Sequence, residues 1–410
     1  MRNSTTANHT QWLLIGSPDC PRLRLFAGQL RRIGAASPIC LSYFEFLDNA
    51  NALFQKLIQQ DFRLLHVKLE TPGAHRLLNA RLIYEGIRQH MLSNPGNLVA
   101  SPTLDEISHI SSDKGRLVFL DEWFRGFKYT LNIVSELLNR VCSNTSRTIQ
   151  YLNTPQDILA MFDKAGSIER LRKAGVNTPG NTRRLPRYAE LKELMRKNKQ
   201  YRIFIKPNYS ASAAGIIAFQ FHPRLNRVVA FTTIESVITN QGIKFYNSLK
   251  LKKIACESTI EKIVNFLADN HAYFEPWVPK PQFTDKHYDV RAIVINGKVS
   301  QMVARLSDGP ITNLHLGNQR KPISALELDR DTIAQYKHTA ERAMQNFPNA
   351  LYAGLDIVLP KSCNRAMVLE VNAFGDYIKE SSHPNSTDLL DNRVYAAQIC
   401  ASFERVPRLQ

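Results

Sequence analysis

The dipeptide Asn296-Gly297 constrains the fold of this chain more than any other local feature of the sequence. Both central positions of a type I′ turn need positive φ, and Asn-Gly is the pair that best satisfies this need. It lies between two runs rich in β-branched and apolar residues, 289–295 and 298–305. The pattern therefore predicts an antiparallel hairpin in the last third of the chain.

A second strand pair is predicted nearby, formed by residues 354–359 and 366–372. Between the two pairs, residues 331–347 carry apolar side chains at helical spacing, which predicts an amphipathic helix. Antiparallel strands with a helix packed on one face are typical of an α+β unit.

The N-terminal region alternates short apolar runs with helical patterns, which is typical of an α/β domain. We expect this domain to span residues 1–145. Its predicted strands are 11–16, 63–69 and 117–120, and its predicted helices are 23–33, 51–60 and 75–91. The turn that begins at Glu70 follows a strand, where α/β folds often bind substrate, although turn geometry explains it equally well.

The segment after this domain has clear helix signals. Thr154 is a predicted N-cap with Pro155 at the first helical position, and Gly175 is a predicted stop. Either one helix or two helices broken near Asp163 lie between them. Further along, strands are predicted at 202–207, 216–221 and 228–233, followed by a helix at 257–267.

Lysine and arginine outnumber the acids by 53 to 36, which gives a formal charge of +17. Such a charge favours anionic partners, among them nucleotides, acidic peptides, nucleic acid and membrane surfaces. The basic residues are spread along the chain, so a solvated basic surface is the main interpretation and anion steering the alternative. No recognised nucleic-acid motif is present, so nucleic acid is not favoured, although the charge does not exclude it.

The remaining composition indicates a cytoplasmic protein with no membrane partner. No apolar run approaches the roughly 20 residues that span a bilayer, and the first ten residues lack the apolar core of a signal peptide. The six cysteines form no C-x-x-C pair and no zinc-spaced cluster, so ordinary reduced thiols are expected.

Three oxygen-bearing side chains near the C-terminus form a candidate metal site. Glu370 and Asn372 are two apart on a predicted strand, so they face the same way, while Leu369 and Val371 face the core. Asp356 lies on the apolar strand predicted to pair with it, where an acid is costly unless it is paired or metal-bound. Hard oxygen ligands of this kind suit Mg²⁺, and salt bridges to nearby arginines are the alternative.

Three further features carry candidate chemistry. Lys206 ends a strand and precedes a small-residue loop, 209–215, that could form a phosphate-binding nest or an ordinary loop. Arg305 ends the second hairpin strand, where it could stabilise developing negative charge or simply face solvent. Glu275 and Val278 lie in an apolar segment that could be a linker presenting backbone groups to adenine or an ordinary strand end.

Taken in order, these features resemble the ATP-grasp superfamily. The ordered set is Asp163-Lys164, the stop at 175–179, Lys206 with its loop, Glu275-x-x-Val278, Asp289-Val-Arg291, Arg305, Asn313, Asp356 and Glu370-Val-Asn372. The Asp-Val-Arg hairpin and the Asn-Leu-His-Leu-Gly stretch of 313–317 point to the branch of the ribosomal-protein glutamate ligase and related peptide ligases. The resemblance extends from Thr154 to the C-terminus.

The resemblance implies an α/β fold in which an N-terminal domain, 1–145, precedes a two-subdomain ATP-grasp fold. The central part would span 146–275, with a lid subdomain at about 200–275, and the C-terminal subdomain with the metal site would span 276–410. It implies ATP and Mg²⁺ (or Mn²⁺) as cofactors. The expected activity is a carboxylate–amine ligase that forms an acyl phosphate from a small-molecule or peptide carboxylate.

The same resemblance assigns roles to individual residues. Those expected to bind ATP are Lys164, Lys206, Ser210, Ser212, Gly215, Glu275 and Val278. Those expected to hold the metal are Asp356, Glu370 and Asn372, and those expected to take part in catalysis are Arg305, Lys206 and Asn313. The ribose-binding residue stays open between Gln282 and Asp285.

Two other functions fit the same residues. One is a kinase on the same fold, which would release a phosphorylated product. The other is a non-catalytic protein that binds ATP as a regulatory ligand and contacts a partner through its basic surface. Homo-oligomers are common among the relatives, so assembly into one is also open.

Overall fold

The computed structural model describes residues 9–94, 102–210, 213–240, 242–361, 363–376 and 393–405, apart from the side chains of 111 and 112. The described chain contains one parallel and two antiparallel sheets with helices packed on them. This arrangement confirms the predicted mixed α/β fold. Within the described residues, no helix is both long enough and apolar enough to cross a membrane.

The N-terminal unit is built on a four-stranded parallel sheet with the order β2-β1-β3-β4. Its strands are β1 (Thr10–Gly16), β2 (Ile39–Ser42), β3 (Leu64–Leu69) and β4 (Thr148–Tyr151). Its helices are α1 (Pro21–Arg32), α2 (Tyr43–Asp48), α3 (Ala50–Ile58), α4 (Arg76–Ser93), α5 (Leu104–Ser112) and α6 (Leu120–Cys142).

The predicted strand at 117–120 is wrong. Leu120 begins the long helix α6, whose first turn carries Asp121 and Glu122, and acids there are favoured by the helix dipole. The apolar residues before it connect the start of α6 to the central sheet instead, because Leu117 is buried and its backbone N–H donates to the backbone oxygen of Phe245.

Helices α4 and α6 cross at two glycines. A Cβ atom added to Gly86 would lie 1.7 Å from the backbone oxygen of Glu122, and one added to Gly126 would lie 1.7 Å from that of Leu82. The two backbones therefore approach more closely than any side chain permits. The apolar faces of both helices belong to the main hydrophobic core, through residues such as Leu82 and Phe127.

Two short helices, α7 (Pro155–Phe162) and α8 (Lys164–Lys173), connect this unit to the rest. The predicted N-cap is confirmed, since the Thr154 hydroxyl accepts from the N–H of Asp157 at 3.3 Å. The helix is broken at Asp163, whose carboxylate caps α8 by accepting from Gly166 at 3.0 Å. This break fixes Lys164 as the first residue of α8.

The central unit is a six-stranded antiparallel sheet with the order β5-β10-β6-β7-β8-β9. Its strands are β5 (Arg183–Arg184), β6 (Arg202–Lys206), β7 (Ile217–His222), β8 (Arg227–Thr239), β9 (Gly242–Ile254) and β10 (Tyr273–Pro276). Helices α9 (Tyr188–Lys197) and α10 (Glu257–Asp269) cover one face. Strand β8 is longer than predicted and pairs with β9, which the sequence pattern did not reveal.

The C-terminal unit is an antiparallel sheet with the order β14-β13-β12-β15-β16, to which β11 is added beside β12. Its strands are β11 (Gln282–Phe283), β12 (Lys286–Ile295), β13 (Lys298–Ser307), β14 (Gln319–Pro322), β15 (Tyr352–Val358) and β16 (Met367–Asn372). The helices are α11 (Arg330–Met344) and α12 (Arg393–Glu404). The hairpin is confirmed, with φ of 49° at Asn296 and 74° at Gly297.

The N-terminal and C-terminal units share one hydrophobic core, to which Leu13, Phe127 and Leu355 all belong. The central sheet has a core of its own, with Phe219 and Val264 at its centre. The central sheet is thus the part of the molecule that is packed most independently, and the cleft described next lies along its border.

Candidate active site

A cleft of about 1410 Å³ lies between the central and C-terminal sheets. The central wall includes Phe204, Lys206, Ser210, Glu275 and Val278, and the C-terminal wall includes Asp289, Arg291, Arg305, Asp356, Glu370 and Asn372. Lys164 reaches it from the start of α8. The structure therefore brings most of the predicted site residues into one place.

Strand register aligns the charged residues of the C-terminal wall. Arg305 lies opposite Asp289, Arg291 lies opposite Asp356, and Asp356 lies opposite Glu370. Residues opposite each other share a face, and so do residues two apart on one strand. One face of four adjacent strands consequently carries a continuous charged row, which we call the cleft row (Arg305, Asp289, Arg291, Asp356 and Glu370).

The predicted alternation of core-facing and cleft-facing residues along strand β16 fails at Leu369, because the strand contains a β-bulge. The register shifts between Asp356 and Ile357, so that Val368 pairs with Ile357 and Glu370 with Asp356, which leaves Leu369 as the extra residue. Leu369 lines the cleft instead of facing the core, while Val371 is buried as expected. The bulge keeps Glu370 and Asn372 directed into the cleft.

Salt bridges connect the cleft row. The Arg305 guanidinium donates to both oxygens of Asp289 at 2.8 and 2.9 Å and lies 3.1 Å from Asp356 Oδ2. Arg291 donates to both oxygens of the same Asp356. Burial by itself would raise the pKa of each aspartate, but the neighbouring cations hold both pKa values below the usual range. Both acids are therefore carboxylates at neutral pH.

The residues predicted to hold a metal lie at the end of this row. Asp356 makes the salt bridges that were the alternative interpretation, although its Oδ1 accepts from Arg291 alone and keeps a lone pair for a cation. Glu370 lies 3.4 Å from Lys164, and the buried Asn372 Nδ2 has no hydrogen-bond partner in the described structure. An amide that nothing fixes can turn its oxygen toward a cation.

The chemistry of this donor set fits Mg²⁺, which prefers oxygen ligands and takes only one or two carboxylates from the protein. The described residues contain no group of three or more His, Cys, Asp and Glu side chains suited to a metal. A metal here would accordingly rely on two carboxylates, an amide oxygen and ligands from outside the chain.

Two lysines face the metal end of the row. Lys164 donates to the backbone oxygen of Ser210 and lies 3.3 Å from its hydroxyl, which ties α8 to the loop after β6. Lys206 is paired with the buried Glu275 of the predicted hinge. Burial would lower the pKa of Lys206, but Glu275 and Glu370 raise it, so this lysine remains charged.

The remaining predicted site residues are two loop positions, one cleft-lining asparagine and the two ribose candidates. Gly215 has a φ of 75° and donates its N–H to the Asn247 side chain at 3.3 Å. Asn313 lines the cleft, and its side chain also accepts from His315 N–H at 2.9 Å in the 3₁₀ turn Leu314–Leu316. Ser212 lies outside the described residues. Among the residues that are described, the cleft lining includes neither Gln282 nor Asp285.

Lys280 is a charged residue of the cleft that sequence reasoning missed. Its amino group donates to Asp289 at 3.0 Å and to the Thr312 hydroxyl at 2.6 Å. The Thr312 hydroxyl in turn donates to Asp289. Lys280 lies in an irregular segment between two prolines, so no periodicity marked it. Its place two residues after Val278 of the hinge was the only available signal.

In the turn that begins at Glu70, the Glu70 side chain makes salt bridges within the protein and does not line the cleft. The Glu70 side chain is fully buried, 3.2 Å from Arg22 and 3.8 Å from the buried Lys68. The same two bases contact Asp376, just beyond β16. Only the neighbouring Thr71 and the edge of Arg22 reach the cleft.

No family model matches the chain, and no curated protein matches it either. Solved structures do resemble it over nearly their whole length. The ATP-grasp ligase PsnB complexed with its minimal precursor is 14% identical, with 96% of this chain and 99% of that chain covered and a TM-score of 0.51. PsnB with a phosphomimetic variant of the minimal precursor, Mg and ADP is 15% identical, with the same coverage and TM-score.

The macrocyclase MdnC from Microcystis aeruginosa MRC, bound with the precursor peptide MdnA, is a third similar structure. It is 12% identical, with 95% of this chain and 99% of that chain covered and a TM-score of 0.51. At such low identity these similarities establish the architecture alone. The chain has the fold of the ATP-grasp ligases.

Proposed function

We propose that this protein is an ATP- and Mg²⁺-dependent ligase that joins a carboxylate to an amine through an acyl phosphate. The observation that carries the proposal is the cleft row, which faces Lys164 and Lys206 within an ATP-grasp fold. Phosphoryl transfer needs cations around the phosphates and oxygen ligands for a metal, and the cleft contains both.

In this proposal the nucleotide lies between the two sheets. Val278 and the segment around Glu275 face the adenine, while Lys164 and Lys206 contact the phosphates. Ser210, Ser212 and Gly215 belong to the loop that covers them. Closure of this loop would exclude water, which would otherwise hydrolyse the acyl phosphate.

Asp356, Glu370 and Asn372 would hold Mg²⁺ at the end of the cleft row. The bound ion would neutralise charge on the β- and γ-phosphates. Arg291 and Arg305 already compensate Asp356, so the row can keep its carboxylates ionised whether or not a cation is present.

The substrate carboxylate would attack the γ-phosphorus of ATP, with ADP as the leaving group. The amine would then attack the acyl carbon, and phosphate would leave. Arg305 is oriented by two hydrogen bonds to Asp289, so its guanidinium is positioned in advance for the negative charge of the acyl phosphate. Asn313, on the loop opposite, would contact the substrate.

A peptide is the substrate that we favour. The cleft exceeds the roughly 300–1,000 Å³ typical of sites for single small ligands, so it has room for a second substrate beside the nucleotide. PsnB and MdnC were both solved with precursor peptides. The Asp289-Val-Arg291 and 313–317 motifs support a place near the branch of the ribosomal-protein glutamate ligase. We also propose three units close to the predicted boundaries 1–145, 146–275 and 276–410, with β4 (Thr148–Tyr151) added to the first unit and Pro276 to the second.

The proposal is tested by ADP release from Mg²⁺-ATP in the presence of pooled amino acids, small peptides and a cell extract. We expect extract-dependent ADP formation that falls at least about 100-fold in Glu370→Gln, because the variant lacks a charged metal ligand. Glu169→Gln, on the exposed surface of α8, is the matched control and should retain full activity.

Each other outcome has a distinct meaning. Full ADP release by a folded Glu370→Gln protein would exclude the metal assignment. ADP release with a stable phosphorylated product would identify a kinase. ATP binding without ADP release under any condition would indicate a regulatory nucleotide site.

A further inference from the structure

The small-residue loop that follows β6, residues 209–215, is held at both ends through one segment of the N-terminal unit. This segment, residues 113–124, leads into α6 and includes its first residues, and we call it the brace. At the start of the loop, the Tyr209 ring stacks on the Phe124 ring, with ring centres 3.9 Å apart and planes 5° from parallel. The stack joins a helix of the N-terminal unit to the point where the chain leaves the central sheet.

The end of the loop reaches the brace through Asn247 of β9. Gly215 donates its backbone N–H to the Asn247 side chain at 3.3 Å, and the Asn247 backbone N–H donates to the oxygen of Gly115 at 2.7 Å. A Cβ atom added to Gly115 would lie 2.7 Å from the Asn247 backbone oxygen, so the brace and β9 meet at a distance that only glycine permits. The same segment thus supports the loop from two sides.

The composition of the loop explains why it needs support from outside. Tyr209 is its one large side chain, and every other residue up to Gly215 is serine, alanine or glycine. Small side chains bury little apolar surface, and a short loop of this kind must therefore overcome its conformational entropy by other contacts. The contact that Tyr209 makes with Phe124 lies on the N-terminal unit rather than within the central core.

The backbone of the brace is strained where its two contacts with the central sheet separate. Phe119 has a φ of 54°, in the left-handed region that is unusual for a bulky residue. There the chain passes from the run beside β9 into α6. Strain of this kind persists where the structure holds the chain on both sides. The brace is held by β9 before Phe119 and by Tyr209 after it.

Neither stacked ring reaches the cleft. Of the described residues, the cleft lining includes Lys206, Ser210 and Ala213 but neither Phe124 nor Tyr209. An effect of the stack on a bound nucleotide must consequently be transmitted through the backbone. Ser210 directly follows Tyr209, and its backbone oxygen accepts from Lys164, so the stack fixes the backbone beside a proposed phosphate contact.

We propose that Phe124 is a positioning residue for the phosphate-binding loop, through which the N-terminal unit raises the affinity for ATP without touching it. A loop that adopts its binding conformation only part of the time binds its ligand more weakly in proportion. The stack and the contact at Gly115 increase that fraction. This inference rests on the nucleotide binding proposed above.

ATP and AMP together separate this role from a general effect on folding. Both contain adenine and ribose, but ATP alone carries the two phosphates that the loop would cover. Wild type, Phe124→Ala and Phe124→Tyr would each be titrated with Mg²⁺-ATP and with AMP by calorimetry. We expect Phe124→Ala to bind ATP about fivefold to tenfold more weakly, the range of an aromatic pair, and AMP as tightly as wild type within about twofold. Phe124→Tyr keeps the ring and should bind both normally.

Two further variants show whether the stack and the second contact act as argued. In a Tyr209→Ala background, Phe124→Ala should cause no additional loss of ATP affinity, because its partner is already absent. Gly115→Ala should weaken ATP binding selectively as well, since its Cβ separates the brace from β9. Phe403→Ala is the control: this ring is 43% exposed and contacts Trp12, away from the brace.

Three results would overturn the inference: unchanged ATP affinity in Phe124→Ala, an equal loss of ATP and AMP affinity, or independent losses from the two rings. Both rings are only half-buried, so the variants should fold, and melting curves would verify this. Failure of the wild type to bind Mg²⁺-ATP would instead overturn the proposed function, and this inference with it.

Discussion

Two groups of buried ion pairs lie side by side in this protein, and they differ in ways that separate structure from function. The first, which we call the sealed cluster, consists of Arg22, Lys68, Glu70 and Asp376. Its two bases and two acids balance, and three of its four side chains are fully buried. The cleft row with Lys164 and Lys280 opens onto a cavity and has a surplus of positive charge.

The partners of the two groups differ as well. In the sealed cluster, Lys68 also donates to the Tyr352 hydroxyl at 2.8 Å and to Gln398 at 3.2 Å, and the Gln398 amide donates to Asp376. Its polar groups are thus largely satisfied by the protein itself. A balanced cluster whose groups pair with one another has less capacity for a ligand than an open and unbalanced one.

The sealed cluster connects the N-terminal unit to the turn after β16. Arg22 from α1 donates to the backbone oxygen of Phe374 at 2.7 Å, only two residues beyond Asn372. The cluster therefore positions the strand end that carries the predicted metal ligands. The two groups are neighbours because the first supports the second.

The strongest test of this comparison removes one lysine from each group. Lys68→Met leaves Glu70 and Asp376 buried with Arg22 as their only base, which should lower the free energy of unfolding by about 3–5 kcal/mol. Lys164→Met leaves a Glu370 that is 29% exposed and can be hydrated, so the loss should stay below about 1 kcal/mol. Chemical denaturation of both variants measures the difference.

In ATP binding, the two variants should rank in the reverse order, with Lys164→Met the more affected. At a temperature where both variants are folded, Lys164→Met should bind ATP more weakly, since it lacks a phosphate contact, while Lys68→Met keeps both cleft lysines and should lose less ATP affinity. Equal destabilisation by the two substitutions would remove the distinction between a sealed and an open cluster.

The sequence predicted the cleft better than it predicted the sealed cluster, and the reason is physical. Glu370, Asn372 and Asp356 are polar residues on short apolar strands, and the period of two fixed the face on which they lie. The resemblance to the ATP-grasp superfamily then assigned roles to Lys164 and Arg305. In the sealed cluster, by contrast, residues from the two ends of the chain meet: Arg22 and Asp376 are 354 positions apart. No local pattern encodes such a contact.

Two wrong predictions show which structural features a local sequence pattern does not encode. The run 117–119 has strand-like residues, but its partner is strand β9 of the central sheet. It makes one backbone hydrogen bond there, from Leu117 to Phe245, and the chain then enters helix α6. Leu369 was predicted to be in the core because alternation was assumed to continue, and a bulge interrupts it. Bulges and contacts between units both depend on the partner strand, which a sequence does not show.

His66, a buried base outside both groups, sharpens the comparison because no acid among the described residues pairs with it. His66 on β3 is fully buried, is stacked on Trp12 with ring centres 4.5 Å apart, and has no hydrogen-bond partner at either ring nitrogen in the described structure. Burial lowers its pKa from 6.5 to about 4. A buried base without a counterion is thus kept neutral rather than paired.

The unfolded chain binds a proton at His66 more readily than the folded chain, so stability should fall as the pH drops from about 6.5 toward 4. Between pH 7.5 and pH 5 the contribution of this residue is about 2 kcal/mol. The measurement is the unfolding free energy of wild type and of His66→Phe at both pH values. The variant should lose less stability than the wild type by that amount, and parallel curves would contradict the neutral, buried state.

The smallest effect is expected at an ion pair with good geometry but little burial. Lys252 on β9 lies 2.7 Å from Glu235 on β8, a shorter distance than most pairs of the sealed cluster, yet the two side chains are 51% and 37% exposed. Water screens such a pair, and ordering two long side chains offsets much of the attraction. Lys252→Met should therefore change the free energy of unfolding by less than about 0.5 kcal/mol, and salt should reduce even this difference. A loss comparable to that of Lys68→Met would mean that distance alone, rather than burial and charge balance, sets the strength of ion pairs in this protein, and the distinction between the sealed cluster and the cleft row would lose its basis.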